Sequence, residues 1–173
     1  MAELAEDVGP VDGGAAGWAR ERHGRLAKPP GSLGRLEELG VRLAGVYGEC
    51  PPPVPGDPAV VVACGDHGVH ARGVSPWQRE ITAAMVGNFL SGGAAANALA
   101  KTVGARLTVL DVGVAAEPGS HPGLRAAKVR PGTRDLSREA AMSREEAARA
   151  VVAGAGVAAE LVASGADLLV TGD

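Results

Sequence analysis

Ala59-Val60-Val61-Val62-Ala63-Cys64 runs without a polar residue and passes directly into Gly65-Asp66-His67-Gly68-Val69. A continuous apolar run with a β-branched centre has no alternation that would leave one face wet. It is the pattern of a strand buried on both faces of a parallel sheet. The glycine-flanked Asp66-His67 after it reads as a turn at the strand's carboxyl end. Two further segments behave in the same way. Arg106 to Val112 forms a second strand that leaves through Asp111-Val112-Gly113, and Asp167-Leu168-Leu169-Val170 a third that leaves through Thr171-Gly172-Asp173.

Helical patterns separate these strands. From Pro76 to about Leu90, Ile81, Met85 and Phe89 fall on one stripe; Gly92-Gly93 interrupts, and Ala94 to Val103 forms a second, small-residue helix. A Gly- and Pro-rich segment follows Gly113, with Val129 in a short strand. Ser143-Arg144-Glu145-Glu146 has the form of a capping box and opens a long helix to about Ala163. Strands alternating with helices in this order predict an α/β fold built on a parallel, doubly wound sheet.

Upstream, the first dozen residues are polar and Gly-rich and read as frayed. Trp18 to Leu26 and Leu33 to Val46 are amphipathic helices, the second with Leu33, Leu36, Leu39 and Leu43 at helical spacing and Ser32 as its N-cap. Pro51 to Pro58 is a linker. Residues 1–50 therefore form an N-terminal helical segment, and 59–173 the first part of an α/β body.

With aromatics at only 2%, the core must be built from Ala, Val and Leu. A net charge of -3 and a pI near 5.8 exclude a nucleic-acid surface and a surface for anionic membranes, leaving small molecules or proteins as partners. Cys50 and Cys64 make no disulfide framework, and Cys64 reads as a buried reduced thiol. The opening MAELAEDVGP lacks the basic and apolar regions of a signal peptide, and no apolar stretch is long enough to span a membrane. The expected compartment is the cytoplasm.

All three strands exit through an acid beside a glycine, which is where a polar site forms in open parallel sheets. Gly154-Ala155-Gly156-Val157-Ala158-Ala159 has the form of a dinucleotide fingerprint but lies inside a helix, so close helix packing explains its glycines better than NAD. Asp66, His67 and His70 cluster, yet His23 and His121 sit in unrelated segments; hydrogen bonding or ligand contact fits these histidines better than a metal. Ser75, before Pro76, reads as a helix N-cap that could also hold an anion. No Gly-x-Ser-x-Gly surrounds it, which argues against a nucleophile. Met85 and Phe89 are core residues, or the wall of a slot for a flat aromatic ligand.

Lys28-Pro29-Pro30-Gly31-Ser32-Leu33-Gly34-Arg35-Leu36-Glu37 resembles the N-terminal element of a known family. So do Cys64-Gly65-Asp66-His67-Gly68-Val69, Gly73-Val74-Ser75-Pro76, Ile81 to Val86 with Asn88-Phe89, Gly92-Gly93-Ala94-Ala95 and Val109 to Val114. The family is the nicotinate-nucleotide–dimethylbenzimidazole phosphoribosyltransferases of cobalamin assembly, and the chain resembles its N-terminal half. The resemblance implies phosphoribosyl transfer from nicotinate mononucleotide to 5,6-dimethylbenzimidazole, no metal or other cofactor, a Rossmann-like parallel sheet flanked by helices and a homodimer at full length.

By position, the resemblance places Ser75, Met85 and Phe89 in the benzimidazole slot, with Met85 where some relatives carry Gln. It places Asp66 and His67 in a site-facing turn among the substrate-binding residues. Asp173 stands as a tentative catalytic carboxylate where the family usually has Glu, at the head of a Gly-rich loop. That loop and the general-base glutamate lie beyond Asp173 in the family, so the expected sheet is incomplete and the 173-residue chain inactive. Two alternatives stay open: a non-catalytic α/β domain that binds an aromatic base or nucleotide, and a nucleotide-dependent oxidoreductase.

Overall fold

The computed structural model describes residues 9–173, which divide into two compact units, one running to Val54 and the other from Pro55. The fraying expected of residues 1–8 falls outside the described residues. In the first unit, helix α1 spans Gly13–Arg25 and α2 spans Arg35–Tyr47. α1 starts earlier than Trp18 because the Asp12 carboxylate caps it, accepting the Gly14 and Ala15 amides at 2.7 and 3.0 Å. Ala16 and Ala19 of α1 bury themselves against Val41 and Ala44 of α2.

Leu36 and Leu39 lie outside that seam and are 65% and 52% exposed, so the evenly spaced leucines of α2 are not its buried face. Ser32 does not cap α2; Gly34 directly precedes it. Glu37 closes the turn instead, accepting the Leu33 amide at 3.2 Å and the Lys28 ammonium at 2.7 Å.

The second unit is built on four parallel strands in the order β3-β2-β1-β4. They are β1 (Pro58–Gly65), β2 (Arg106–Gly113), β3 (Leu124–Ala126) and β4 (Leu168–Gly172). The helices are α3 (Glu80–Leu90), α4 (Ala95–Thr102) and α5 (Arg144–Ala163). Successive β1 residues point to opposite faces. Val62 and Cys64 join Val86 of α3, Val109, Val114 and Leu124 in one core cluster. Ala59 joins Leu110 and the α5 residues Val157 and Leu161 in another. The apolar run Val60–Val62 is thus covered on both sides, as a two-faced buried strand requires.

The structure moves several expected boundaries. α3 begins at Glu80, and the residues from Pro76 to it form a turn. The short strand is Leu124–Ala126, whereas Val129 makes a single bond beyond it, its amide donating to the Val112 carbonyl at 3.0 Å. Asp167 precedes β4, and its carboxylate accepts the Gly56 and Asp57 amides at 2.6 and 3.0 Å. The capping box of α5 is present: Ser143 Oγ accepts the Glu146 amide at 3.1 Å and Glu146 Oε2 the Ser143 amide at 2.7 Å. Close packing does not explain the glycines inside α5, because a Cβ added at Gly154 or Gly156 meets nothing within 4 Å. Among the described residues, no helix is long and apolar enough to cross a membrane.

Candidate active site

β1, β2 and β4 run parallel, so their carboxyl ends emerge on one edge of the sheet, where ligands of such sheets bind. Gly65 and Gly113 are register partners there, separated from the Cys64–Asp111 pair by a bulge. A Cβ added at Gly65 would meet the Gly113 backbone at 3.7 Å, an ordinary contact, so the two strand exits lie side by side without requiring glycine there.

Two of the three strand-exit carboxylates are consumed by the fold. Asp66 is 6% exposed; its Oδ1 accepts the Thr82 hydroxyl at 2.8 Å and its Oδ2 the Ala115 amide at 2.7 Å. Asp111 is 2% exposed; its Oδ1 accepts the Gly113 and Val114 amides at 3.1 and 2.8 Å, and Lys128 Nζ stands 3.4 Å from Oδ2. A buried charge of this kind persists because donors and a cation surround it. Asp173, following β4, is exposed and makes no side-chain bond to the described residues.

Above the sheet edge lies a cavity of about 490 Å³ whose apolar wall is Cys64, Met85, Phe89 and Val112 and whose polar groups are His67, Thr82 and Asp173. Four residues singled out from the sequence, His67, Met85, Phe89 and Asp173, meet in it. The His67 ring is exposed and makes no hydrogen bond to the described residues. Met85 and Phe89 lie four residues apart on α3, one turn above another, and Thr82 completes the stripe. Thr82 was the contact that sequence reading missed, although its spacing from Met85 was visible. Burial, then the nearby Asp111 charge, pushes the Cys64 thiol up to about 11, so it stays protonated and acts as part of the apolar wall.

Ser75 stands in an adjoining cavity of about 380 Å³ together with Asp66, His67, His70 and Arg79. It does not cap α3; its Oγ accepts the Trp77 amide at 3.2 Å, which leaves its own hydroxyl proton free to donate. His70 is engaged with the Trp77 carbonyl at 2.7 Å. The larger cavity, about 600 Å³ in the N-terminal unit, holds Lys28 and Glu37, which already pair with each other at 2.7 Å. Among the described residues no group of His, Cys, Asp and Glu is placed to hold a metal ion. An apolar slot with an unpaired imidazole and an unpaired carboxylate can hold a flat heterocycle and exchange a proton with its edge.

Comparison with known proteins agrees with this geometry. Residues 8–173 match the sequence model of a phosphoribosyltransferase family. The chain is 53% identical to the nicotinate-nucleotide–dimethylbenzimidazole phosphoribosyltransferase of Salinispora tropica over 96% of its own length and 50% of that protein's. It is 49% identical to the same-named protein of Deinococcus radiodurans, over 100% of this chain and 49% of that one. The crystal structure of the enzyme of that name from Thermus thermophilus superposes with a TM-score of 0.86 at 49% identity, covering 94% of this chain and 49% of that one. The chain thus spans about half the length of the curated relatives it matches. With the sheet, the strand-exit cavity and the sequence match in agreement, the chain belongs to this phosphoribosyltransferase family.

Proposed function

We propose that the protein transfers phosphoribose from nicotinate mononucleotide to 5,6-dimethylbenzimidazole, giving α-ribazole 5′-phosphate and nicotinate for cobalamin assembly. The benzimidazole enters the slot walled by Met85, Phe89 and Val112, with its nitrogens toward His67 and Asp173. One ring nitrogen attacks the anomeric carbon, and the bond from that carbon to nicotinate breaks with inversion. Nicotinate leaves with the bonding electrons, and the benzimidazole gives up its N–H proton to a base. Ser75, with its hydroxyl proton free, offers a polar contact at the slot's edge.

The observation that carries this reading is the cavity at the strand exits, lined by apolar Cys64, Met85, Phe89 and Val112 together with His67, Thr82 and Asp173. An aromatic base gains from burial on such a wall while its nitrogens meet the polar groups. Asp66 and Asp111 are already engaged, so Asp173 is the one strand-exit carboxylate open to substrate. The family resemblance puts the general base on a further glutamate, so the 173-residue chain by itself is expected not to turn over. The complete enzyme is a cytoplasmic homodimer that uses no metal or other cofactor.

The test compares the purified chain with one extended to the length of its curated relatives, each given both substrates, with chromatography of the products. Nicotinate and α-ribazole phosphate are expected from the longer chain alone. Product from the 173-residue chain would refute its inactivity. Base binding without product from the longer chain would favour a non-catalytic domain.

A further inference from the structure

We infer that Asp66 and Thr82 form a positioning pair that sets the height of the slot's wall, an inference resting on the slot being the base-binding site. α3 carries that wall: Thr82, Met85 and Phe89 share one face of it. Apolar packing holds the helix to the sheet: Val86 is buried in the core cluster, and Ala83, Phe89 and Leu90 pack against that cluster. Val86 is its one buried side chain, and no side chain caps its first turn. Apolar packing is non-directional, so the height of the helix along the sheet is fixed most sharply by directional bonds.

One such bond opposes a shift. Thr82 Oγ1 donates to Asp66 Oδ1 at 2.8 Å, and among the described residues this is the only side-chain hydrogen bond from α3 to the strand exits. The anchor itself is stiff. Asp66 donates its amide to the Gly113 carbonyl at 2.9 Å and accepts the Thr133 amide at its own carbonyl at 2.8 Å. Its Oδ2 accepts the Ala115 amide at 2.7 Å. The Arg79 Nε, buried and without a hydrogen bond, lies 3.9 Å from Oδ1 and adds a favourable charge. Asp66 thus gathers the exits of β1 and β2 and the loop at Thr133 to one point, and Thr82 transmits that point to α3. With both carboxylate oxygens occupied, Asp66 acts on the ligand through Met85 and Phe89 and does not touch it.

The test uses Thr82→Val, Thr82→Ser and Asp66→Ala in this chain, read by dimethylbenzimidazole titration and by the Met85 methyl resonance of the ligand-free protein. T82V should shift the Met85 resonance and weaken base binding about tenfold, the effect of one lost buried hydrogen bond. T82S, which keeps the hydroxyl, should restore both readouts. The D66A/T82V double variant should bind no worse than D66A alone, because each change removes one end of the same hydrogen bond. The inference is overturned if T82V leaves the resonance in place, if T82S is as impaired as T82V, or if the two losses add. Should T82V not fold, Thr82→Ala carries the same comparison with T82S. Absence of base binding in the unsubstituted chain would count against the proposed function, while the resonance would still decide whether Thr82 positions the wall.

Discussion

Gly68 is pressed against Thr133: its amide donates to the Thr133 hydroxyl at 3.3 Å, and a Cβ at position 68 would stand 2.6 Å from the Thr133 carbonyl oxygen. The same Cβ would lie 2.5 Å from the Arg134 carbonyl carbon and 2.7 Å from the Asp135 amide nitrogen. All three neighbours are backbone, so no rotamer change can relieve the contact. Gly68→Ala should lower stability by about 1–3 kcal/mol, the range for overpacking a close contact. Urea unfolding measures it, and a neutral result would show that the loop at Thr133 yields freely.

The glycines inside α5 predict the opposite sign. Gly154 and Gly156 meet nothing within 4 Å where a methyl would go, and each leaves the helix interior with avoidable backbone freedom. Gly154→Ala and Gly156→Ala should each stabilise the chain by about 1 kcal/mol. A loss of stability at either position would mean that another surface packs on that side of the helix.

Cys64 and Cys50 should differ in reactivity. The Cys64 thiol is buried and pushed up to about 11, whereas Cys50 is half-buried. Thiolate is the reactive form, so iodoacetamide at mildly alkaline pH should label Cys50 first and Cys64 only on unfolding. Peptide mass mapping over a time course checks the order.

Acid should weaken the body through particular carboxylates. The Ser143 amide, and after it Arg134 and Arg130, hold Glu146 below its ordinary 4.5 despite the opposing loss of solvent. The Ser137 hydroxyl and amide, with Arg72, hold Asp135 below its ordinary 3.8, again against desolvation. A carboxylate lowered in the folded state stabilises fully above its unfolded value and loses that contribution as pH falls through its folded value. Melting temperature should therefore hold steady down to the ordinary carboxylate range and drop below it. Glu146→Gln should lower the plateau and flatten the drop, and a melting series against pH with both proteins measures this.

Much of this architecture is legible in the sequence wherever one physical signal dominates. Val60 to Val62, with no alternation, could only be a strand covered on both faces, and Ser143 with Glu146 marked the start of α5. The errors fall where local and tertiary signals compete. Pro76 looked like a first helical residue, but the Ser75 hydroxyl turns back to the Trp77 amide and delays the helix to Glu80. Val129 had the better β-propensity, yet the Val109–Leu124 register, unreadable from local pattern, set the position of β3. In α2 the evenly spaced leucines drew attention from Val41 and Ala44, which the alanines of α1 select by allowing close approach. At the site, residue types alone left Met85 and Phe89 as core; it was the family resemblance that put them with His67 and Asp173, which line the same cavity. The engagement of Asp66 was not legible, because its partners Thr82, Ala115 and Thr133 are brought to it only by the fold.

The position of β1 between β2 and β4 has a consequence for how the chain reaches its folded state. Asp57 and Asp167, which flank the β1–β4 pairing, are 110 residues apart in sequence. During synthesis the most apolar strand must wait with one edge open until Leu168–Gly172 has left the ribosome. Long-range parallel pairing of this kind is slow to form, and the waiting edge is open to other chains meanwhile. Recovery of native protein should therefore depend more on concentration and chaperone supply than on the stability finally reached.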